Sequence, residues 1–276
     1  MRRVELGRTK EMIPIIGQGT WGIKKRKSKE FYDNWKESLK RGIELGITHI
    51  DTAELYGNGL CEKIVGDVIK EFNRDDLFIT SKLFPKHIGK KAMKKACDKS
   101  LQRLGIKNLD LYLVHWPSFL FGAKIKKHMD VMEDLVNRGK TRYIGVSNYS
   151  LEQFKRAQTY LKKTELVTNQ LWTNITKQKH IHESLPFYRK EKITLTAYSP
   201  LGHRGYTDLK GDLKKKFDKV ANTHNATVQQ IAIAWLINHD GVITIPRTSQ
   251  VKHLESNIKA ADITLSNEEI ELFYQK

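Results

Sequence analysis

Eight short apolar runs, each followed by a stretch of helical period, succeed one another along 276 residues with no proline- or glycine-rich linker between any two. The runs are rich in Ile, Val, Leu and Thr, the mark of buried strands, and the intervening stretches repeat apolar residues at helical spacing. "IGQGTWGI" precedes "FYDNWKESLKRGIELG", "THIDTA" precedes a helix near 61–72, "LFITSKL" one near 88–104, and "LDLYLVHW" one near 124–138. "RYIGVSN" leads into "LEQFKRAQTYLKK", "LVTNQL" into "IHESLPFYRKEK", and "ITLTAYSP" into a lysine-rich helix followed by "TVQQIAIAWLINHDG". "VITIPRT" and "VKHLESNIKAA" end the series. Ser150 with Gln153, and Thr227 with Gln230, read as capping boxes that start two of these helices. Eight βα units in one direction are what a closed parallel barrel needs. The rival, an open doubly wound sheet, usually carries a GxGxxG phosphate loop after its first strand, and that motif is absent. The expected fold is α/β, a (β/α)8 TIM barrel over residues 1–276 as a single domain, with "VELGRTKEMIPIIG" forming a short N-terminal hairpin.

Composition narrows the surroundings. No apolar run is long enough to suggest a membrane span, and "MRRVELGRTK" has no apolar core of a signal peptide. Cys61 and Cys97 are the only cysteines and show no metal spacing, so a reducing, cytoplasmic compartment and no metal are expected. With a net charge of +18 the sequence pI is near 9.7, in the range that suggests nucleic-acid binding. Its lysines, however, fall on solvated helix faces, as in "IGKKAMKKACDKSLQRLG", and no basic stretch is interleaved with aromatics. No dedicated nucleic-acid partner is expected; the overall field favours anionic ligands.

In a parallel barrel, sites are built at the C-terminal ends of the strands. The polar residues there are Asp51, Lys82, His115, Ser147 with Asn148, Asn169 with Gln170, Tyr198 with Ser199, and Arg247 with Thr248. Tyr56 follows Asp51 in a loop ending in glycine. A phenol has a pKa near 10, too high for efficient proton exchange at neutral pH. A lysine ammonium beside it favours the phenolate, a carboxylate keeps that lysine charged, and an imidazole can orient a carbonyl oxygen. Tyr56, Lys82, Asp51 and His115 supply these four parts, with Tyr56 as the acid.

The segments "GxxHIDTAxxYGN", "SKL", "LDLYLVHWP", "GxxRxIGVSN", "NQ", "AYSPLG" and "IPRTxxxxHLxSN" resemble, in order and over essentially the whole chain, the aldo-keto reductase family. The resemblance implies a (β/α)8 barrel that reduces aldehydes and ketones with NADPH, NADH being possible, and reversible alcohol oxidation. It implies Asp51, Tyr56, Lys82 and His115 as the catalytic tetrad. By the same resemblance Ser147, Asn148 and Gln170 hold the nicotinamide carboxamide, and Tyr198 stacks on the ring. Ser199, Leu201 and Gly202 pass the pyrophosphate, Arg247 and Thr248 meet the 2′-phosphate, and Asn257 meets the adenine. Gly19, Thr20 and Trp21 form the first-strand corner, and Asp51 also lies against the cofactor. Two positions depart: His253 stands where many members carry an arginine against the adenine, and Ser256 where some carry a glutamate.

For substrate, Trp21, Tyr56, His115 and Trp116, with Phe119 or Phe121, would line an open pocket. It suits a small-molecule carbonyl compound: a modest aldehyde, ketone or dicarbonyl. Oligomeric state has no sequence signal. Two other functions have a foothold. "HIH" at 180–182 would serve a metal-dependent hydrolase, but it lies at a helix start without a matching carboxylate motif. A dinucleotide-binding regulatory subunit, as the resembling potassium-channel β subunits partly are, would not need the intact tetrad.

Overall fold

The computed structural model describes residues 1–87, 89–117, 124–202, 205–207 and 209–275. An antiparallel hairpin, β1 (Arg3–Glu5) and β2 (Met12–Pro14), opens the chain. Eight parallel strands follow: β3 (Gln18–Gly19), β4 (His49–Asp51), β5 (Phe78–Leu83), β6 (Leu109–Val114), β7 (Thr141–Ser147), β8 (Leu166–Trp172), β9 (Thr194–Tyr198) and β10 (Val242–Thr244). Each strand pairs with the next in chain order. The ends meet through parallel bridges, Ile16 to Thr244 and Gly19 to Arg247, so the sheet closes into the expected barrel. Gly19 is needed at that seam: a Cβ there would lie 2.8 Å from the Ile245 carbonyl oxygen.

The helices alternate with the strands: α1 (Lys29–Glu44), α2 (Leu60–Ile69), α3 (Lys90–Leu104), α4 (Lys124–Asn137), α5 (Leu151–Gln158), α6 (Lys179–Glu183), α7 (Leu185–Lys190), α8 (Gly211–Thr223), α9 (Val228–Ile237), α10 (Val251–Lys259) and α11 (Asn267–Leu272). All residues of β5 and β6 are buried, because one face meets helices and the other fills the barrel. On β6 the two faces alternate. Tyr112 and Val114 join the cluster under the helices, while Leu111 and Leu113 join the second cluster with Leu6, Ile13 and Phe78. The hairpin therefore seals the N-terminal end of the barrel; Gly7 N donates to Thr194 Oγ1, at the start of β9, at 2.9 Å. Of the barrel's two ends, the opposite one is left open.

Both expected capping boxes form. Three details differ from the sequence pattern. The first and last barrel strands are short and close by single bridges. "IHESLPFYRKEK" is two helices, not one: Pro186 lies in the first turn of α7, where its missing N–H costs nothing. Finally, the last residues form α11, capped by Ser266 and Glu269, and seat Phe273 4.8 Å from the Phe217 ring on the barrel's flank. Among the described residues no helix is long and apolar enough to cross a membrane.

Candidate active site

Asp51 ends β4, Lys82 lies on β5, His115 follows β6, and Tyr56 opens a tight turn five residues after Asp51. Parallel register sets these positions side by side: Asp51 pairs with Thr80, and Lys82 with Leu113. Lys82 is fully buried, and its ammonium has three acceptors: Asp51 Oδ1 at 2.5 Å, the Thr52 carbonyl at 3.0 Å and the Tyr56 hydroxyl at 3.3 Å. That matches its three hydrogens, the condition under which a buried cation is tolerated. The other oxygen of Asp51 accepts from Gln170 Nε2 at 2.7 Å. The Tyr56 ring meets His115 edge-on, with centroids 5.6 Å apart. Its turn depends on Gly57, with φ of 56° and the Ile23 carbonyl 3.0 Å from where a Cβ would stand.

Burial drives the protonation states. It pushes the Lys82 ammonium down, but Asp51 and Tyr56 together carry it above its ordinary value. Burial raises the Tyr56 phenol, and the Lys82 charge pulls against that without overcoming it. This corrects the expected lowering of the phenol: Lys82 acts in the expected sense, yet the net direction is upward. The phenol stays protonated at neutral pH, the form a proton donor requires. Burial and the Lys82 charge push His115 down to about 3, so its imidazole is neutral. Its Nδ1 is buried and has no hydrogen-bond partner among the described residues.

Above this floor, Ser147 Oγ donates to the Gln170 carbonyl at 2.9 Å, and Asn148 Nδ2 to the His115 carbonyl at 3.0 Å. Asn148 has a positive φ of 62°, and its Oδ1 accepts from the Tyr198 hydroxyl at 2.8 Å. A cleft of about 640 Å³ opens over these groups. Gly19, Thr20, Trp21, Asp51, Tyr56, His115, Trp116, Ser147, Asn148, Gln170, Tyr198, Ser199, Leu201, Gly202, Arg247, Thr248 and His253 all line it. Lys82 lies beneath the floor. The Arg247 guanidinium rests 4.9 Å from the Trp21 ring centroid, and burial lowers its pKa.

Three sequence-stated positions fall elsewhere. Asn257 lines a separate small crevice beside Gln18 and Thr248. Asn169, placed at the mouth by the strand pattern, turns outward instead, donating to the Tyr149 carbonyl at 2.9 Å and the Tyr188 hydroxyl at 2.8 Å. Ser256 gives its carbonyl to Gln230 Nε2 at 3.0 Å. Phe119 and Phe121 lie outside the described residues. His180 and His182 sit on α6 bonded to Ser184 and Gln178, and no cluster of metal-ligating residues occurs among the described ones. Trp172 and Leu55 were missed, and both line the cleft. Trp172 was legible: β8 runs two residues past Gln170, so strand alternation puts residue 172 on the same face.

The family model described as aldo/keto reductase family matches residues 15–276. The methylglyoxal reductase YeaE of Escherichia coli K12 is 34% identical over 261 residues, covering 94% of this chain and 89% of its own. The solved structure of the thermostable aldo-keto reductase Tm1743, in complex with epalrestat, superposes with a TM-score of 0.92 at 38% identity, covering 99% of this chain and 98% of that one. An aldo-keto reductase from Klebsiella pneumoniae in complex with NADPH gives 0.87 at 33% identity, covering 99% and 94%. A barrel closed at one end, a buried Asp51–Lys82 pair beneath a tyrosine at the other, and these likenesses over nearly the full length agree: the chain is an oxidoreductase that belongs to the aldo/keto reductase family.

Proposed function

We propose that this protein reduces the carbonyl of small aldehydes, ketones or dicarbonyls with NADPH, with Tyr56 giving the proton to the carbonyl oxygen. The observation that carries this is the Tyr56 hydroxyl at the cleft floor, 3.3 Å from a lysine ammonium that is itself fixed by Asp51. When bound, the reduced nicotinamide supplies the hydride for the carbonyl carbon. The residues fit such a group. Ser147, Asn148 and Gln170 bring hydroxyl and amide groups to one wall, the donor and acceptor set that a carboxamide requires. Tyr198 would offer its ring to the nicotinamide, and Arg247 with Thr248 a guanidinium and a hydroxyl to the 2′-phosphate. Ser199, Leu201 and Gly202 would follow the pyrophosphate, and His253 borders the adenosine end. Asn257 would reach adenine only through its neighbouring crevice.

On this reading each floor residue has one task. Tyr56 donates its proton as negative charge grows on the carbonyl oxygen. Lys82 stabilises the resulting phenolate, and Asp51 keeps Lys82 charged and aimed. Neutral His115 hydrogen-bonds the carbonyl oxygen and so fixes which side of it faces Tyr56. The same parts run in reverse for alcohol oxidation.

Substrate size follows from the walls. Of the five large hydrophobic residues exposed among those described, three, Trp21, Leu55 and Trp172, stand in the cleft. Exposed apolar surface concentrated at a cleft marks a binding site. With Trp116 they suit a short carbon chain. The methylglyoxal reductases YeaE and DkgB, 34% and 30% identical, support a small dicarbonyl. The test is loss of reduced-nicotinamide absorbance with a panel of small aldehydes, ketones and dicarbonyls, run with NADPH and NADH in parallel. Turnover favouring NADPH and short substrates is expected. No turnover across the panel, with cofactor still bound, would overturn the proposal in favour of a regulatory subunit.

A further inference from the structure

Trp172 forms a wall of the cleft, and a cation stands on its ring: Lys177 Nζ is 5.3 Å from the centroid. The backbone under that lysine is fixed. Lys177 N donates to the Asn174 carbonyl at 2.8 Å and its carbonyl accepts from Asn174 N at 3.3 Å, closing a tight turn. Buried Asn174 locks the turn from inside. Its Oδ1 accepts from Thr176 N and Thr176 Oγ1, each at 2.9 Å, and its Nδ2 donates to the carbonyl of cleft-lining Ser199 at 2.9 Å. Lys177 is thus carried by the same scaffold that shapes the cleft, which a lysine on a loose surface loop is not.

The first-strand loop adds charge. Residues 24–29 read "KKRKSK" and are all exposed. Tyr32 holds them in place, its hydroxyl donating to the Lys24 carbonyl at 3.0 Å and accepting from Lys27 N at 3.2 Å. The preceding Ile23 carbonyl abuts Gly57, so the basic run begins one residue after a contact with the turn that presents Tyr56. Described carboxylates cancel this charge only in part: the exposed Glu30 follows the run, against five cations in it. Asp51 is bonded to Lys82 and Gln170, and Glu54 to His87 and Phe84 N. Lys29 pairs with Asp33, whereas Lys24, Lys25, Arg26, Lys27 and Lys177 make no ion pair with a described acid.

We infer that the rim selects carbonyl substrates bearing a carboxylate, with Lys177 the specificity-determining residue and the Lys24–Lys27 run steering the anion to the cleft. The inference rests on the reductase reading above and names the substrate class of that site. Cations carried next to the cleft-lining Trp21 and Trp172, without an ion pair to a described acid, raise the local concentration of anions and the rate at which they enter. A lysine that already sits on an apolar wall can meet a carboxylate while the chain packs on Trp172.

The test compares a short aldehyde ending in a carboxylate with its methyl ester, a neutral molecule of the same reacting group, at low and high salt. The wild-type enzyme should prefer the acid at low salt by about tenfold in kcat/KM, and the preference should shrink towards unity as salt screens the rim. Lys177→Gln should raise KM for the acid by about twofold to fivefold, the worth of an exposed ion pair, with kcat and the ester unchanged. Replacing Lys24, Lys25 and Lys27 by Gln should flatten the salt dependence. Equal turnover of acid and ester, or a Lys177→Gln effect shared by both, would overturn the inference while leaving the reductase intact. Failure to reduce either compound would overturn both.

Discussion

The floor and the rim of the cleft are built differently. The floor groups are anchored by strands or the turn beside them, and most are spoken for: Lys82 has three acceptors, Asp51 two donors, and Ser147 and Asn148 bond to the backbone of neighbouring strands, while His115 Nδ1 is left for a ligand. The rim presents exposed aromatics and cations, Trp21 with Arg247 and, at the last residue of β8, Trp172 with Lys177 from the following turn. A buried network works only when all its members are satisfied, so it tolerates few residue types and little movement. Exposed pairs are worth little individually and can change without cost to the fold. On the proposed function the floor would carry the reaction, and the rim would decide what reaches it.

If the floor is one unit, breaking it should have the largest effect. Lys82→Met should lower kcat by about a hundredfold or more through loss of phenolate stabilisation. It should also cost about 3–5 kcal/mol of stability by leaving Asp51 buried without its cation. Steady-state rates and urea unfolding check the two halves; near-normal kcat would separate Lys82 from the chemistry. Arg247→Ala, a rim change, should raise the KM for NADPH about tenfold or more, with a much smaller effect on NADH, since a guanidinium–phosphate contact is lost only with the former. Equal effects on both cofactors would confine Arg247 to packing on Trp21.

Protons offer a milder way to strain the barrel interior. His49, buried and bonded to Thr80, is held down to about 4 by burial, and His115 to about 3, against an ordinary value of 6.5. Below pH 6.5 the unfolded chain takes up protons at these imidazoles and the folded protein does not. Their contribution is thus whole above pH 6.5 and declines as the pH falls, each imidazole by at most about 1.4 kcal/mol per pH unit. Urea midpoints at pH 7 and pH 5 should show the fall, and His49→Asn should reduce it; an unchanged slope would contradict the assignment. The smallest effect belongs to the wall: Trp172→Ala should change KM for short aldehydes by only a few-fold and kcat hardly at all. A large fall in kcat would move Trp172 to the floor.

The floor was legible in the sequence for the reason that makes it rigid. Strand ends in a closed barrel have fixed positions, so counting strands brought Asp51, Lys82, His115, Ser147 and Tyr198 to one place. The rim was less legible because loop geometry depends on contacts remote in sequence. Nothing local announces that Lys177 would stand on Trp172, since Asn174 fixes that turn through the Ser199 carbonyl. Asn169 shows the limit of strand counting: one residue out of phase, it faces the helices rather than the cleft. The direction of the Tyr56 shift was also beyond sequence, because it depends on how far burial outweighs a neighbouring charge.

The most direct test of the account is Tyr56→Phe, which removes one oxygen atom from the floor and leaves the ring against His115. Cofactor affinity, followed by fluorescence quenching, and carbonyl reduction should be measured on the same preparation. Binding should stay close to wild type while turnover is nearly abolished. Substantial turnover in the variant would show that the proton comes from elsewhere and would contradict the central claim.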